Sequence, residues 1–274
     1  MNVAIIGYGY VGKAMGEFFT KYDEYGAKRY QPLVYDPSLQ CSLSDQEQKE
    51  RINSECDLAV VCVPTPSKDD LSCDTSIVEY SIDWLKTDLI LIKSTIVPGT
   101  VDKLVEKTGK NIAFSPEYCG EGDYNPGHNF QNTVANEPFY IFGGKPETTS
   151  RLVDIFQRIA GPTRTFFQCT AKEAELIKYM ENSFLATKVV FIYEMHQIAE
   201  SLGCDWNQVR EGWLLDPRIN RSHTSIFNDN KKPFTGKCLP KDVNAIVKCA
   251  ENKGYSANFI KSVLESNERI GKIR

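Results

Sequence analysis

The sequence predicts an α/β fold, in which a doubly wound parallel sheet is followed by an all-helical domain with one long helix. Short, continuously apolar runs alternate with helical patterns through the first half of the chain, which is typical of parallel strands covered by helices on both faces. The strand pattern then stops. A stretch without Gly or Pro from Thr170 to Ser201 predicts one long helix, and Gly203 lies just past its end, as at a helix terminus.

The individual elements follow from the same alternation. The predicted strands are Val3–Ile6, Leu33–Tyr35, Leu58–Val63, Leu89–Ile92, Ile112–Phe114, Phe139–Phe142 and Thr163–Phe167. The predicted helices are Tyr10–Thr20, Leu43–Ile52, Ile77–Leu85, Thr100–Thr108, Pro146–Ile159, Thr170–Ser201, Asp205–Trp213, Pro240–Asn252 and one from Ala257 to near the last residue. We therefore expect two domains, residues 1–169 and 170–274.

Composition excludes several classes of protein. The 274 residues are 41% hydrophobic and carry a net charge of −4, which argues against disorder, a nucleic-acid coat and a polybasic membrane anchor. No apolar run approaches the roughly 20 residues of a membrane span, and the first residues enter a strand directly, so we expect no secretory leader. The nine cysteines form no C-x-x-C pair and the three histidines are far apart, so we expect no metal site and a cytoplasmic protein with reduced thiols.

A glycine turn predicts a cofactor site. Gly7-Tyr8-Gly9-Tyr10-Val11-Gly12 follows the first strand and opens the first helix, the required context for a Rossmann-type dinucleotide turn. Gly7 permits the tight turn, Gly9 lets a pyrophosphate approach the backbone, and Gly12 lets the helix pack on the strand. Asp36, at the end of the second strand, is placed to accept ribose hydroxyls and would repel a 2′-phosphate. The pattern therefore predicts NAD rather than NADP.

Two threonines leave neighbouring strand ends on the same edge of the sheet. Thr65 follows the third strand between two prolines, and Thr95 follows the fourth strand within Lys93–Gly99. Ligands of such sheets bind at the carboxyl ends of the strands, so both are candidate cofactor neighbours. The alternative is that each only caps the next helix.

A lysine and an asparagine share one face of the long helix. Lys178 and Asn182 are four residues apart and begin an otherwise apolar stripe, which suggests two donors directed at a developing negative oxygen. The alternative is a lysine whose stem packs while its ammonium reaches solvent, beside an asparagine bonded to backbone.

Cys238 is the candidate nucleophile. It precedes Pro240, a residue common at helix starts, so the helix dipole and the flanking Lys237 and Lys241 favour its thiolate. Asp242 lies in the first turn of that helix and could act on a water or a proton. We interpret the other eight cysteines as inert core residues.

Two carboxylates complete the candidate set. Glu117 and Glu121 follow the fifth strand on the ligand edge of the sheet, where either could position or deprotonate a water. The alternative for each is a solvated loop residue.

These motifs, in this order along nearly the whole chain, resemble the UDP-glucose/GDP-mannose dehydrogenase family. The motifs that carry the resemblance are Gly7–Gly12, Val63–Pro66, Lys93–Thr95, Ser115–Tyr118, Glu173–Asn182, Asp216–Ile219 and Cys238–Asp242. The resemblance implies a four-electron oxidation, in which the terminal CH2OH of a nucleotide-linked hexose becomes a carboxylate and two NAD+ are used in turn.

The resemblance also implies residue roles. Cys238 would hold the aldehyde as a thiohemiacetal and then a thioester, while Lys178 and Asn182 would stabilise the oxyanion. Asp242 would handle a proton or water, and Glu117, or more weakly Glu121, would be the base of hydrolysis. Thr95 would lie between nicotinamide and substrate, and Lys241 near the cofactor. Arg218 would reach the substrate of a partner subunit in a homodimer, and Phe234 and Gly236, which precede Cys238, would contact the sugar.

The chain departs from the family pattern in two places. It stops at Arg274, where family members continue into a second nucleotide-binding domain. The family's glycine-rich F-G-G-x-C run reads Phe234-Thr235-Gly236-Lys237-Cys238, with a threonine where a flexible glycine is expected. Two alternatives remain open. One is a short β-hydroxyacid dehydrogenase that performs a single hydride transfer without a nucleophilic cysteine, and the other is an NAD-binding module or fragment without catalysis.

Overall fold

The structure, a computed structural model, describes residues 1–20, 30–118, 134–226, 232–236 and 238–271. Its strands are β1 (Val3–Ile6), β2 (Leu33–Tyr35), β3 (Leu58–Val61), β4 (Leu89–Ile92), β5 (Ile112–Phe114), β6 (Phe139–Gly143) and β7 (Thr165–Cys169). Its helices are α1 (Tyr10–Thr20), α2 (Asp45–Glu55), α3 (Ser76–Trp84), α4 (Thr100–Thr108), α5 (Pro146–Ala160), α6 (Ala171–Ser201), α7 (Trp206–Trp213), α8 (Cys238–Glu251) and α9 (Asn258–Ile270). The predicted α/β class with a long helix is confirmed.

One seven-stranded sheet has the order β2-β1-β3-β4-β5-β6-β7. The chain moves outward from β1 to β2 and then returns to the other side of β1 as β3. Strand order therefore reverses at β1, and open α/β sheets bind their ligands at such a point, outside the carboxyl ends of the strands. The glycine turn, Asp36, Thr65 and Thr95 all follow strands at this edge.

The sheet is parallel except at one pairing. β6 runs antiparallel to β5, with Phe114 opposite Gly143, whereas β7 is again parallel to β6. A parallel neighbour needs a crossover, which α5 provides between β6 and β7. The described part of the β5–β6 connection is loop and one 3₁₀ turn, Val134–Asn136.

The sheet is buried on both faces, as the apolar strands require. Every residue of β1, β3 and β4 is at most 1% exposed, and two separate apolar clusters cover the faces. One cluster includes residues of α2, α3, α4 and the start of α6, and the other includes residues of α1 and α5. At roughly 1.5–3 kcal/mol per large apolar side chain, this burial is the main term that holds the strand ends in place.

The chain divides into two compact units. The first comprises residues 1–66 and 73–178, and the second comprises residues 67–72 and 179–274. The division falls within α6, after Lys178, and the domain boundary between residues 169 and 170 stays a prediction. In the second unit, Phe234 and residues of α6, α8 and α9 form a further apolar cluster.

Candidate active site

The glycine turn has the shape that a dinucleotide needs. Gly7 has φ +86°, and a Cβ there would lie 2.8 Å from the carbonyl oxygen of Cys62. A Cβ on Gly12 would lie 2.0 Å from the carbonyl oxygen of Gly7, whereas one on Gly9 would meet nothing within 4 Å. The turn is therefore closed against β3 and the first helix but open at Gly9, where a pyrophosphate would approach. Tyr10 and Val11 form the first turn of α1, with Tyr10 42% exposed.

Asp36 connects the end of β2 to this turn. Its Oδ2 accepts a hydrogen bond from the backbone N–H of Tyr8 at 2.7 Å, and its Oδ1 accepts two from Ser38. Burial raises the pKa of this carboxyl, but the hydrogen bonds from Tyr8 and Ser38 outweigh it and hold the pKa below its ordinary value. Asp36 is thus a charged acceptor, and a carboxylate with about four acceptor positions retains one for a ribose hydroxyl.

The Thr95 loop (residues 93–99) is tied to its neighbours on both sides. The Ser94 hydroxyl donates to the carbonyl oxygen of Val63 at 2.7 Å, which joins it to the segment that carries Thr65. Lys93 is 1% exposed, and its ammonium donates to Ser115 Oγ at 3.2 Å and to the Pro116 carbonyl at 2.9 Å. Thr65 is buried and Thr95 half-buried. Their contact with the cofactor stays a prediction.

Lys178 lies against the Glu117 loop (residues 115–118). Its ammonium donates to the Glu117 carbonyl at 2.6 Å, lies 3.6 Å from the Glu117 carboxylate and lies 5.3 Å from the centre of the Tyr118 ring. The side chain is only 7% exposed, so the interpretation of Lys178 as a solvent-directed lysine is wrong. Two of the predicted residues, Lys178 and Glu117, are therefore in contact, while Glu121 lies outside the described residues.

A second group of predicted residues meets at the start of α8. Asp242 is 2% exposed, and its two oxygens accept from Asn182 Nδ2 at 2.6 Å and from Lys241 Nζ at 2.5 Å. Cys238 is exposed and begins α8, one helical turn before Asp242. The helix begins two residues earlier than predicted, so Pro240 is its third residue, still within the first turn where a missing N–H is tolerated. Lys237 lies outside the described residues.

The three predicted substrate contacts are spread through the second unit. Arg218 is 86% exposed and forms a two-pronged ion pair with Asp216. Phe234 has its side chain in the apolar cluster, and both of its backbone groups bond to the Asn267 amide, at 2.9 and 3.2 Å. Gly236 is exposed, and a Cβ there would meet nothing within 4 Å. Their roles stay predictions.

Sequence reasoning missed one buried carboxyl, Glu175. It is 0% exposed, and its oxygens accept from the backbone N–H groups of Gly99 and Val101 at the start of α4. Burial raises its pKa to about 7, although both hydrogen bonds act to lower it. The available signal was its position, since it falls among the buried residues Ala171, Ala174 and Lys178 on one face of α6.

Two absences hold within the described residues. No group of three or more His, Cys, Asp or Glu side chains there is arranged to hold a metal ion. None of the helices in those ranges is both long and apolar enough to cross a membrane.

The fold and the glycine turn define a dinucleotide-binding α/β protein. Comparison with known sequences narrows the class. The NAD-binding-domain model of the UDP-glucose/GDP-mannose dehydrogenase family matches residues 30–160, and the central-domain model of the same family matches residues 172–269. The chain therefore belongs to the UDP-glucose/GDP-mannose dehydrogenase family, whose members are NAD-dependent oxidoreductases, and its cofactor is NAD.

Individual relatives agree with this assignment. UDP-glucose 6-dehydrogenase of Rickettsia typhi is 28% identical over 300 aligned positions, which cover 98% of this chain and 67% of that protein. The structure of a UDP-glucose dehydrogenase from Pyrobaculum islandicum has a TM-score of 0.76 at 25% identity and covers 98% of this chain and 68% of that one. This chain thus spans about two thirds of the length of these relatives.

An enzyme of a different activity has the same fold. Mycobacterium tuberculosis 3-hydroxyisobutyrate dehydrogenase has a TM-score of 0.71 at 15% identity, with 99% of this chain and 94% of that chain covered. At that identity the likeness shows the fold alone.

Proposed function

We propose that this chain carries the NAD-dependent oxidation of a nucleotide-sugar primary alcohol to the carboxylate, of the UDP-glucose or GDP-mannose dehydrogenase type. One observation carries the proposal. Cys238 is exposed at the N-terminus of α8, one turn before a buried Asp242 whose carboxylate is held by Asn182 and Lys241. A single oxidation of an alcohol needs no nucleophilic sulfur, whereas an aldehyde that must be oxidised again is retained by covalent capture.

The proposed covalent steps take place on Cys238. NAD+, held by the Gly7–Gly12 turn and Asp36, would supply the hydride acceptor for each of the two oxidations. The Cys238 thiolate adds to the carbon of the aldehyde, and the former carbonyl oxygen takes up a proton to give a thiohemiacetal. Loss of hydride from that carbon and of the hydroxyl proton leaves a thioester. Attack by water breaks the carbon–sulfur bond and releases the carboxylate and the thiolate. The N-terminus of α8 favours the anionic sulfur at the start and the end.

The remaining residues supply charge and proton transfer in this proposal. Lys178 and Asn182, one turn apart on α6, donate hydrogen bonds to the oxygen that becomes negative. Glu117 removes the proton of the attacking water, and the Lys178 ammonium 3.6 Å away would stabilise the charge of its carboxylate. Asp242 takes up or supplies a proton near Cys238, and Thr95 separates nicotinamide from substrate. Glu121 is the weaker candidate for the base.

Binding roles complete the proposal. The Gly7–Gly12 turn would hold the pyrophosphate and Asp36 the ribose, as their geometry supports. The cofactor contacts of Thr65 and Lys241, and the substrate contacts of Arg218, Phe234 and Gly236, rest on the resemblance to the family. Cys41 and Cys204 are exposed, so the interpretation of every cysteine other than Cys238 as a core residue is wrong for these two. A cytoplasmic location is also proposed, and these exposed free thiols favour it.

A homodimer through α6 is part of the proposal. Met180, Phe184, Phe191 and Ile198 lie along one face of this 31-residue helix and are 73%, 64%, 49% and 44% exposed. Four large apolar side chains in a line on one exposed face favour a second copy of the chain as their partner. Light scattering is expected to give the mass of a dimer, and a monomer would remove this part.

The direct test is NADH formation with UDP- and GDP-hexoses, followed by absorbance. Wild-type protein is expected to form NADH and a uronate. Cys238→Ser is expected to form no uronate, because the aldehyde is no longer captured. Cys204→Ser, which changes an exposed cysteine of the same unit, is the matched control and is expected to behave as wild type. A Cys238→Ser variant that still forms uronate at the wild-type rate would refute the mechanism.

A second candidate function is a single-step β-hydroxyacid dehydrogenase. The observation that favours it is the 3-hydroxyisobutyrate dehydrogenase fold, which this chain matches over nearly the full length of both. It predicts turnover of a β-hydroxyacid, one NADH per substrate and no effect of Cys238→Ser.

An NAD-binding module without catalysis is the third candidate. It predicts NAD+ binding by calorimetry and no NADH with any of these substrates.

A further inference from the structure

Glu175 is an unusual residue for its position. It is completely buried in the part of α6 that belongs to the first unit, on the same face as Ala171 and Ala174, which lie in one of the apolar clusters of the sheet. No Lys, Arg or His of the described residues forms an ion pair with it. A carboxyl in such a site is costly to bury, which is why its pKa rises to about 7. An apolar residue would be the stable choice, so the carboxyl calls for an explanation.

The hydrogen bonds of Glu175 show that it caps the start of α4. Gly99 occupies the N-cap position of α4 with φ +93° and has no side chain to cap the helix. The first N–H groups of a helix have no partner within it. Glu175 accepts the N–H of Gly99 with one oxygen and the N–H of Val101, at 2.9 Å, with the other. The cap that most helices obtain from their own chain therefore comes here from α6, more than 70 residues away.

These bonds fix the far end of the Thr95 loop. Its near end is held by Ser94, and Ile96 is fully buried in the same cluster as Ala171 and Ala174. Glu175 provides the anchor beyond Ile96. Thr95 lies between the two anchors, and its backbone position therefore depends on both.

One helical turn of α6 thus holds two loops at the ligand edge of the sheet. Glu175 binds the Thr95 loop, and Lys178, three residues later on the same helix, donates to the carbonyl of Glu117. Because both contacts originate from a rigid helix, the separation of the two loops is set by α6.

We propose that Glu175 is a positioning residue, which holds the Thr95 loop where Thr95 meets the nicotinamide end of the cofactor. The inference rests on the place proposed above for Thr95. Its test measures cofactor binding and needs no sugar substrate. The positioning role of Glu175 can therefore fail while the proposed oxidation holds, and the oxidation can fail while the positioning role holds.

The test compares NAD+ with ADP-ribose, which lacks the nicotinamide, by calorimetry. Glu175→Gln keeps the size of the side chain but turns an amide N–H toward a backbone N–H. At pH 8, where the wild-type carboxyl has lost its proton, we expect the affinity of the variant for NAD+ to fall about tenfold, the value of one hydrogen bond to a charged group. Its affinity for ADP-ribose is expected to stay within about twofold of wild type, because the glycine turn and Asp36 are untouched.

The matched control is Glu173→Gln. Glu173 is on the same turn of α6, but it is exposed and accepts from the N–H and hydroxyl of Thr170, a capping role that glutamine also fills. It is expected to change neither affinity. Glu175→Met, which avoids the mismatched amide, is measured beside it and is expected to show the same selective loss of NAD+ affinity.

An equal loss for NAD+ and ADP-ribose in both Glu175 variants would overturn the proposal, since damage to the fold weakens both. No loss for either ligand would also overturn it. Hydrogen exchange in the wild-type protein gives a measurement that needs no variant. The amides of Gly99 and Val101 are expected to exchange as slowly as those of β4, and exchange at the rate of an exposed loop would overturn the proposal.

Discussion

Replacing Glu175 by Gln is expected to change how stability depends on pH. In the unfolded chain this carboxyl loses its proton near its ordinary pKa of 4.5. In the folded protein the carboxyl retains the proton until about pH 7. Between these values the unfolded state binds fewer protons, so the wild-type protein loses stability as pH rises through that window. Glutamine does not titrate, so the variant lacks this loss.

The magnitude follows from the two pKa values. The difference between 4.5 and about 7, at about 1.4 kcal/mol per unit, corresponds to about 3 kcal/mol. The free energy of unfolding of Glu175→Gln minus that of wild type is therefore expected to rise by about 3 kcal/mol from pH 4.5 to pH 8. All other groups are common to both proteins and cancel in the comparison.

The assay is urea unfolding of both proteins at several pH values. Trp84 is the one tryptophan of the first unit, so its fluorescence reports on the unit that contains Glu175 when Trp206 and Trp213 are replaced by Phe. A difference between variant and wild type that stays constant from pH 4.5 to pH 8 would refute the burial argument. If the wild-type protein instead became more stable relative to the variant as pH rises, the pKa of Glu175 would be lowered in the folded protein and not raised.

Three further predictions follow from the site and from α6. Gly7→Ala is expected to abolish NAD+ binding in calorimetry, because its Cβ would lie 2.8 Å from a backbone oxygen. The control is Gly109→Ala, which is also at positive φ but has nothing within 4 Å of its Cβ, and it is expected to bind NAD+ normally. Lys178→Met is expected to lower kcat for NADH formation by at least about a hundredfold by removing an oxyanion donor, and Lys172→Met, an exposed lysine of the same helix, is expected to leave it unchanged. Phe184→Glu is expected to give a monomer by light scattering, and an unchanged dimer would exclude this face of α6.

The sequence allowed the sheet and the cofactor turn to be predicted because both depend on local signals. Apolar runs define β1, β3 and β4, and the glycines of the Gly7–Gly12 turn carry their conformational requirement in their own identity. The reversed direction of β6 has no such local signal. An apolar run has the same pattern in either direction, and the pairing of Phe114 with Gly143 is a contact between distant residues.

The candidate site was predictable by residue type but not by partner. Asn182 and Asp242 were each expected to act, yet nothing in the sequence showed that they bond to each other across 60 positions. Lys178 was assigned to the oxyanion, and its bond to the Glu117 carbonyl became visible only in the fold. Glu175 was missed altogether, because a glutamate within a helix is ordinarily solvated and its burial is decided by the packing of α4 and α6.

The number of NADH molecules formed per nucleotide sugar tests the central claim most directly. Wild-type protein is expected to form two NADH for each uronate released, because the Cys238 sulfur retains the half-oxidised sugar for the second oxidation. Cys238→Ser is expected not to form the second NADH. One NADH per substrate, with the same yield from wild type and from Cys238→Ser, would contradict the account.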